Sequence, residues 1–334
     1  MSITAFDRLP ARRVPPLALA IAAYAAVAAC IAPAGLVAML ATYAEQMLML
    51  TPVLVAGLGI ASLVRRRQAP LSFIRDVLRE RALPLAATLA GFCLGMAAFT
   101  AMKLAIPRLV PFYADPLLAD LDALLVPGGP GMLAHALLPS WAAWPLAWLY
   151  GPVWFIAWFG TIAYVGLSRD TALRRRYFWA MALTLAIVGT LLATVLSSVG
   201  PVFYDRIYGG TRFAGLMALV DATSVGEYMR FASSYLYDNY THGAHGFGTG
   251  ISAMPSVHIA IVTLNAQMLW SRDRRIGALA WAYAAAIGFG SVYLGWHYAI
   301  DGLVSLVVVV AIWRLYGRLL PPRQKALKLP VPTS

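Results

Sequence analysis

Two of the five histidines in this chain stand where an imidazole can do chemistry. His258 follows Pro255 and Ser256 at the entry to one apolar run, and His297 closes another, with Asp301 four residues beyond it. A spacing of four stacks two side chains on one helical face. Asp301 can then accept a hydrogen bond from one nitrogen of His297, which fixes the tautomer and raises the basicity of the other nitrogen. The helix entry at His258 offers unpaired amides and the positive end of a dipole, a ready anion site. The glycine-rich stretch GFGTGIS just before it lets the backbone approach a phosphate closely. Two imidazoles, one carboxylate and an anion cradle describe phosphoryl transfer: one imidazole attacks phosphorus and the other protonates the leaving oxygen.

The elements that must position these groups are membrane helices. Of 334 residues, 61% are hydrophobic and 12% charged, against about 45–50% and about 25% in soluble domains, which excludes a soluble globule. Apolar runs of the length needed to cross a bilayer fall at residues 17–42, 47–64, 84–106, 142–167, 177–199, 256–270, 276–296 and 298–315. The expected fold is an all-α, polytopic integral membrane bundle of about eight transmembrane helices. The first run is too long for a cleavable signal and is expected to stay as an anchor. Cys30 and Cys93 lie inside apolar runs, so neither a disulfide framework nor a cysteine-based zinc site is expected.

The net charge of +12 does not point to nucleic acid, because the basic residues sit in short clusters between spans. With both termini inside, 21 of the 26 Lys and Arg residues fall on the inner side, leaving Lys103, Arg108, Arg206, Arg212 and Arg230 outside. This is the positive-inside pattern. It places His258 and His297 at the same outer membrane level, and the alanine- and arginine-rich composition fits a bacterial inner membrane. Of the two long outer segments, residues 107–141 read as an acidic amphipathic connector along the membrane surface, with no chemistry assigned. Residues 200–255 are rich in aromatics and read as short surface helices capping something. His242 and His245 form an isolated HxxH without further ligands, so no metal is expected, and no cofactor is implied.

The segments MPSVH (254–258) and YLGWHYAID (293–301) resemble the second and third signature motifs of the type 2 phosphatidic acid phosphatase superfamily, PSGH and SRxxxxxHxxxD. The closer likeness is to the branch of inositol phosphorylceramide synthases and related sphingolipid phosphotransferases, whose last motif often has an HYxxD form. The resemblance covers roughly residues 84–315. It implies a six-helix core within residues 84–320, preceded by two extra spans in 1–83 and followed by a basic tail at 321–334. It also implies that His297 is the nucleophile that forms a phosphohistidine, that Asp301 orients it, and that His258 is the general acid. Ser256 and the backbone around Val257 would hold phosphate oxygens, without a metal.

The chain departs from the pattern in two places. Val257 replaces the glycine of PSGH, and Gly290 and Ser291 stand where the Ser-Arg pair would be, so the phosphate-clamping arginine is missing. A phosphoryl dianion still needs positive charge. Arg206, just after the fifth span where the first family motif would fall, and the nearby Arg212 are the candidates; Tyr204 and Tyr293 add possible hydroxyl donors. Otherwise these arginines bind lipid headgroups or pair with Asp205 or Asp221. The expected function is a lipid phosphatase or phosphotransferase acting at the outer face on a phospholipid, sphingolipid or polyprenyl phosphate. Its partners are a lipid phosphate or phosphodiester and a hydroxyl acceptor or water, with transfer favoured over hydrolysis. The alternative is a transporter or flippase in which the histidines and Asp301 relay protons.

Overall fold

The computed structural model describes residues 15–244, 246 and 248–319. His245, the arginines at 8, 12 and 13, and the tail from residue 321 lie outside them. The described residues form an all-α bundle without strands. Its helices are α1 (Pro16–Ile31), α2 (Pro33–Arg65), α3 (Pro70–Leu109), α4 (Asp115–Leu125), α5 (Pro130–Leu137), α6 (Ser140–Leu167), α7 (Thr171–Val195), α8 (Pro201–Tyr208), α9 (Ala214–Asp221), α10 (Gly226–His242), α11 (Val257–Trp270), α12 (Arg274–Tyr293) and α13 (Ala299–Leu319). Five stretches are long and apolar enough to cross a membrane: Ala82–Leu109 within α3, α6, α7, α12 and α13. Pro16–Ile31, Val55–Arg65 and α11 are shorter apolar helices.

The first two spans differ from the sequence expectation. The break falls at Ala32 rather than at residues 43–46, and α2 runs unbroken through Glu45 and Gln46. Pro33 explains this. A proline disfavours the α region for the residue before it, and Ala32 sits at φ −141°, ψ 64°. Glu and Gln are good helix formers, so polarity alone does not end a helix. One continuous helix, α3, likewise carries the chain through residues 83 and 84.

Side-chain caps set several helix starts. Asp170 accepts from the Leu173 amide (2.9 Å), and Asp273 accepts from the amides of Arg275 and Ile276. Both caps lie on the arginine-rich face, where Arg169 meets Glu80 (2.7 Å) and Arg272 meets Asp170 (3.0 Å). The opposite ends of α3, α6, α7, α11, α12 and α13 gather on a second face. There Ser197 donates to the Val110 carbonyl and its own carbonyl accepts from Tyr113 and Ala114. Between the faces, small residues such as Ala97, Ala98, Ala101 and Ala260 are buried and let helices approach closely. Large apolar side chains such as Leu191, Leu279 and Val307 cover the outer surface, as a lipid-facing wall requires.

The pair α4 and α5 meets at a bend of 47°. Asp115 at the start of α4 binds the amides of Val199 and Gly200, and His135 on α5 meets the Tyr293 carbonyl (2.9 Å), so both ends are tied to the second face. Residues 201–242 add α8, α9 and α10 over that face, with Phe203 of α8 against Trp296 (ring centroids 6.4 Å apart).

Candidate active site

His297 owes its place to the way α12 ends. After Tyr293 and Leu294 the chain turns at Gly295 with φ +74°, and the amides of Trp296 and His297 both return to the Ser291 carbonyl. Such a left-handed residue at a helix C-terminus favours glycine. His297 therefore leaves α12 and points back into the bundle before α13 begins. A second glycine locks this corner from the other side. Gly200, at φ +83°, lies so close to Trp296 that a Cβ would stand 2.6 Å from the Trp296 carbonyl oxygen. The neighbouring Val202 amide donates to the Gly295 carbonyl (3.0 Å).

Three side chains then form one chain of hydrogen bonds. Asp301 Oδ2 lies 3.1 Å from His297 Nδ1 and also accepts from the Tyr298 amide (3.0 Å). His297 Nε2 lies 3.1 Å from Ser256 Oγ. Ser256 caps α11, its Oγ accepting from the Ile259 amide. One assignment gives each bond a donor and an acceptor: Nδ1–H donates to the carboxylate, and the Ser256 hydroxyl donates to the Nε2 lone pair. Asp301 and Ser256 are fully buried, and His297 is 7% exposed. The Ser256 amide donates to the Asp301 carbonyl (3.3 Å), joining the starts of α11 and α13 directly.

His258, one step into α11, brings its ring centroid to 6.4 Å from that of His297. It stacks on Tyr150 (4.2 Å, 13°) and leans on Trp154 (4.2 Å, 35°), while the Trp154 indole N–H holds the His258 carbonyl (3.1 Å). Tyr150 lies in a π turn of α6, Leu149–Val153. The turn contains Pro152, which cannot donate an amide and so disrupts the regular ladder locally.

Carboxylates on α4 brace the same corner. Asp115, fully buried, accepts from the amides of Val199 and Gly200 and from the hydroxyls of Tyr208 and Tyr298. Burial and the nearby Asp115 charge push the Tyr208 pKa up, so its hydroxyl remains a donor. Asp122 accepts from the amides of Ala299 (2.8 Å) and Ile300 (3.0 Å), capping α13 from outside its own sequence. The connector to which the sequence reading gave no chemistry thus holds the residues on both sides of His297.

With this geometry in place, comparison with known families is decisive: a sequence model described as PAP2 superfamily matches residues 118–315, more than half of the chain. The chain belongs to the PAP2 superfamily. No curated protein and no solved structure matches it. PAP2 membership supports a lipid phosphatase or phosphotransferase kind of function. The match spans the two motifs that hold His258, His297 and Asp301, which the fold brings together at one end of the bundle.

The expected phosphate-binding residues divide. Ser256 is at the centre of the site. Tyr204 is buried beside Met254 and Tyr298, packed against Tyr208 and Phe213. Tyr293 is fully buried and directed elsewhere: its hydroxyl donates to the Pro139 carbonyl and its ring stacks on His135. Arg206 is exposed over the Tyr237 ring. Arg212 pairs with Asp120 (2.6 Å) and lies over Tyr204. The alternative pairings differ as well, since Asp205 accepts from the Phe213 amide and Asp221 pairs with Arg230. Ser291, at the position of the family arginine, turns its hydroxyl back onto the Gly288 carbonyl (2.8 Å). His242, at the end of α10, is exposed and bonds the Asp238 carbonyl.

The sequence reading missed Tyr150, Trp154, Asp115, Asp122, Tyr298 and Lys103. For Lys103 a signal existed: it is the one charged residue between positions 82 and 107, inside an apolar helix. Its stem lies under Gly250, where a Cβ would stand 3.3 Å from Lys103 Cγ.

Proposed function

We propose that this PAP2 protein is an integral-membrane enzyme that carries a phosphoryl or phospho-headgroup from a lipid substrate on His297. Nε2 forms a bond to phosphorus as the bond from phosphorus to the lipid oxygen breaks, and His258 gives that oxygen a proton. An acceptor hydroxyl or water then attacks phosphorus, returns a proton to His258 and releases Nε2. Asp301 holds the Nδ1 proton throughout and stabilises the charge that develops on the ring. The observation that carries this reading is the His297 arrangement: one nitrogen fixed at 3.1 Å by a fully buried carboxylate, the other presenting its lone pair, and a second imidazole 6.4 Å away.

Transfer to a hydroxyl acceptor is favoured over hydrolysis, because His297 is nearly closed to solvent and α8 packs over the residue before it. Ser256 and the first amides of α11 hold phosphate oxygens. The positive-inside rule puts the arginine-rich face and both termini in the cytoplasm, and the site at the far, periplasmic side of a bacterial inner membrane. A transporter relay is not favoured, because these polar groups gather at one end of the bundle instead of its middle.

The test is to trap the intermediate. Wild-type protein exposed to a panel of radiolabelled lipid phosphates and phosphodiesters is expected to acquire an acid-labile, base-stable label on His297, released by a hydroxyl acceptor. A folded His297→Ala protein should acquire none. Full turnover by that variant, or a label on another residue, overturns the mechanism.

A further inference from the structure

A cavity of about 400 Å³ lies apart from the histidines, within the range of about 300–1,000 Å³ usual for small-molecule sites. Its walls come from the break at Ala32, the last turns of α3, the end of α10 and the chain at Gly250 and Ile251. None of Ser256, His258 and His297 lines it. Ala253 and Met254, both buried and bonded to Ser198, stand in the chain between its wall and Ser256. The part of the wall supplied by Ala32 and α3 also precedes residue 118, where the family match begins. Two cations line the cavity, Lys103 and Arg108, and no carboxylate does. Among the described residues neither cation enters an ion pair, whereas Arg212 and Arg230 pair with Asp120 and Asp221. The floor is apolar, with Ala101, Ala105 and Ile251 buried. Lys103 is half-buried and Arg108 exposed, so one charge stands inside and the other at the rim. A glycine with positive φ covers each of them. A Cβ on Gly250 (φ +103°) would stand 3.3 Å from Lys103 Cγ, and one on Gly243 (φ +63°) would stand 3.0 Å from an Arg108 guanidinium nitrogen. Bare backbone forms that part of the wall, and a larger residue would crowd the cations.

We infer that this cavity binds a phosphate ester between Lys103 and Arg108, at a site separate from the two histidines. Two like charges near membrane depth are costly without an anion to offset them. A phosphate suits this pair: a guanidinium grips two of its oxygens as a planar fork, and an ammonium meets a third as a compact charge with three rotatable donors. The volume leaves room for the group esterified to it. A lipid headgroup and a soluble phosphate ester share this chemistry. The apolar run of α3 and the junction of the apolar helices α1 and α2 at Ala32 put the cavity beside the membrane, which favours the lipid. Nothing in this site depends on phosphohistidine chemistry.

The test uses the full chain in detergent micelles. The chain has only three lysines, Lys103, Lys325 and Lys328, so acetylation by acetic anhydride can be followed at each by mass spectrometry. Three probes divide the ligand into its parts: dioctanoyl phosphatidic acid, glycerol 3-phosphate, which lacks the chains, and dioctanoylglycerol, which lacks the phosphate. Saturating phosphatidic acid is expected to slow acetylation of Lys103 by about tenfold or more, as a charge-assisted contact requires, and to leave Lys325 and Lys328 unchanged. Protection by phosphatidic acid alone assigns the site to a lipid headgroup, and equal protection by glycerol 3-phosphate assigns it to a soluble ester; either supports a phosphate site. Arg108→Gln shows where the protection arises. Arg108 is exposed and remote from the histidine pair in the chain, so the variant should fold, and it should raise the phosphatidic acid concentration for half-protection of Lys103 by about tenfold or more. Failure of both phosphate probes to protect Lys103 in the wild type overturns the inference. So does equal protection by dioctanoylglycerol, which would make the cavity an apolar pocket, or undiminished protection in a folded Arg108→Gln protein, which would place the bound phosphate elsewhere.

Discussion

Replacing Asp301 with asparagine tests how the carboxylate acts, and the structure allows the size of the effect to be worked out. In a Ser-His-Asp triad the same change costs about 10⁴-fold, because the amide selects the wrong imidazole tautomer. Here Asp301 Oδ2 accepts from both His297 Nδ1 and the Tyr298 amide, while Oδ1 has no hydrogen-bond partner. An asparagine oxygen at the Oδ2 position keeps both bonds. Turning the NH2 group toward His297 would instead set it against the Tyr298 N–H. The correct tautomer is therefore retained, and the loss is that of one charge-assisted bond, about 1.5–3 kcal/mol. At about 1.36 kcal/mol per decade, Asp301→Asn should lower turnover by roughly 10- to 150-fold. The NH2 group then occupies the buried Oδ1 position without an acceptor, which should destabilise the fold by about 1–3 kcal/mol. Initial rates on the best wild-type lipid substrate, with thermal melts of the same preparations, measure both numbers. A fall to the His297→Ala background in a folded protein would show that the tautomer does flip, and a rate within threefold of wild type would show that the carboxylate charge does not act on the ring.

Two further outcomes follow from the bracing of this corner. Asp122→Ala removes the acceptor for the Ala299 and Ile300 amides; a lost cap is worth about 0.5–2 kcal/mol, seen as a lower melting temperature that Asp122→Asn restores in part. The His135 imidazole is pushed below its ordinary pKa of 6.5 by burial, against the opposing bond to the Tyr293 carbonyl. The unfolded chain then binds that proton more readily. Stability from this group is present above about 6.5 and lost as the pH falls from there through the lowered folded value. The melting temperature should drop over that window, and His135→Phe should flatten the slope.

His258, His297 and Asp301, the proposed catalytic residues, are legible in the sequence because polar residues are scarce at membrane depth and a spacing of four has one meaning on a helix. The crossing helices are legible from run length and composition. Other features depend on contacts between distant segments. Asp115, Asp120 and Asp122 all read as the wet side of an amphipathic helix, yet Asp115 and Asp122 turn inward to Val199 and Ala299 while Asp120 turns out to Arg212. Periodicity separates two faces but does not say which meets protein. Lys103 lies toward the outer end of its helix, and that its stem passes under Gly250 becomes visible only when that distant loop is placed. The polar pair Glu45 and Gln46 suggests a break between the first two apolar runs, whereas the backbone restriction imposed by Pro33 puts it at Ala32.

Asp115 precedes residue 118, where the family match begins. The inherited segment is therefore not a self-sufficient module. A chimaera that exchanged residues 118–315 between two members would transplant the imidazoles intact but leave behind the strut under residues 199 and 200. A graft that keeps this corner must begin upstream of α4.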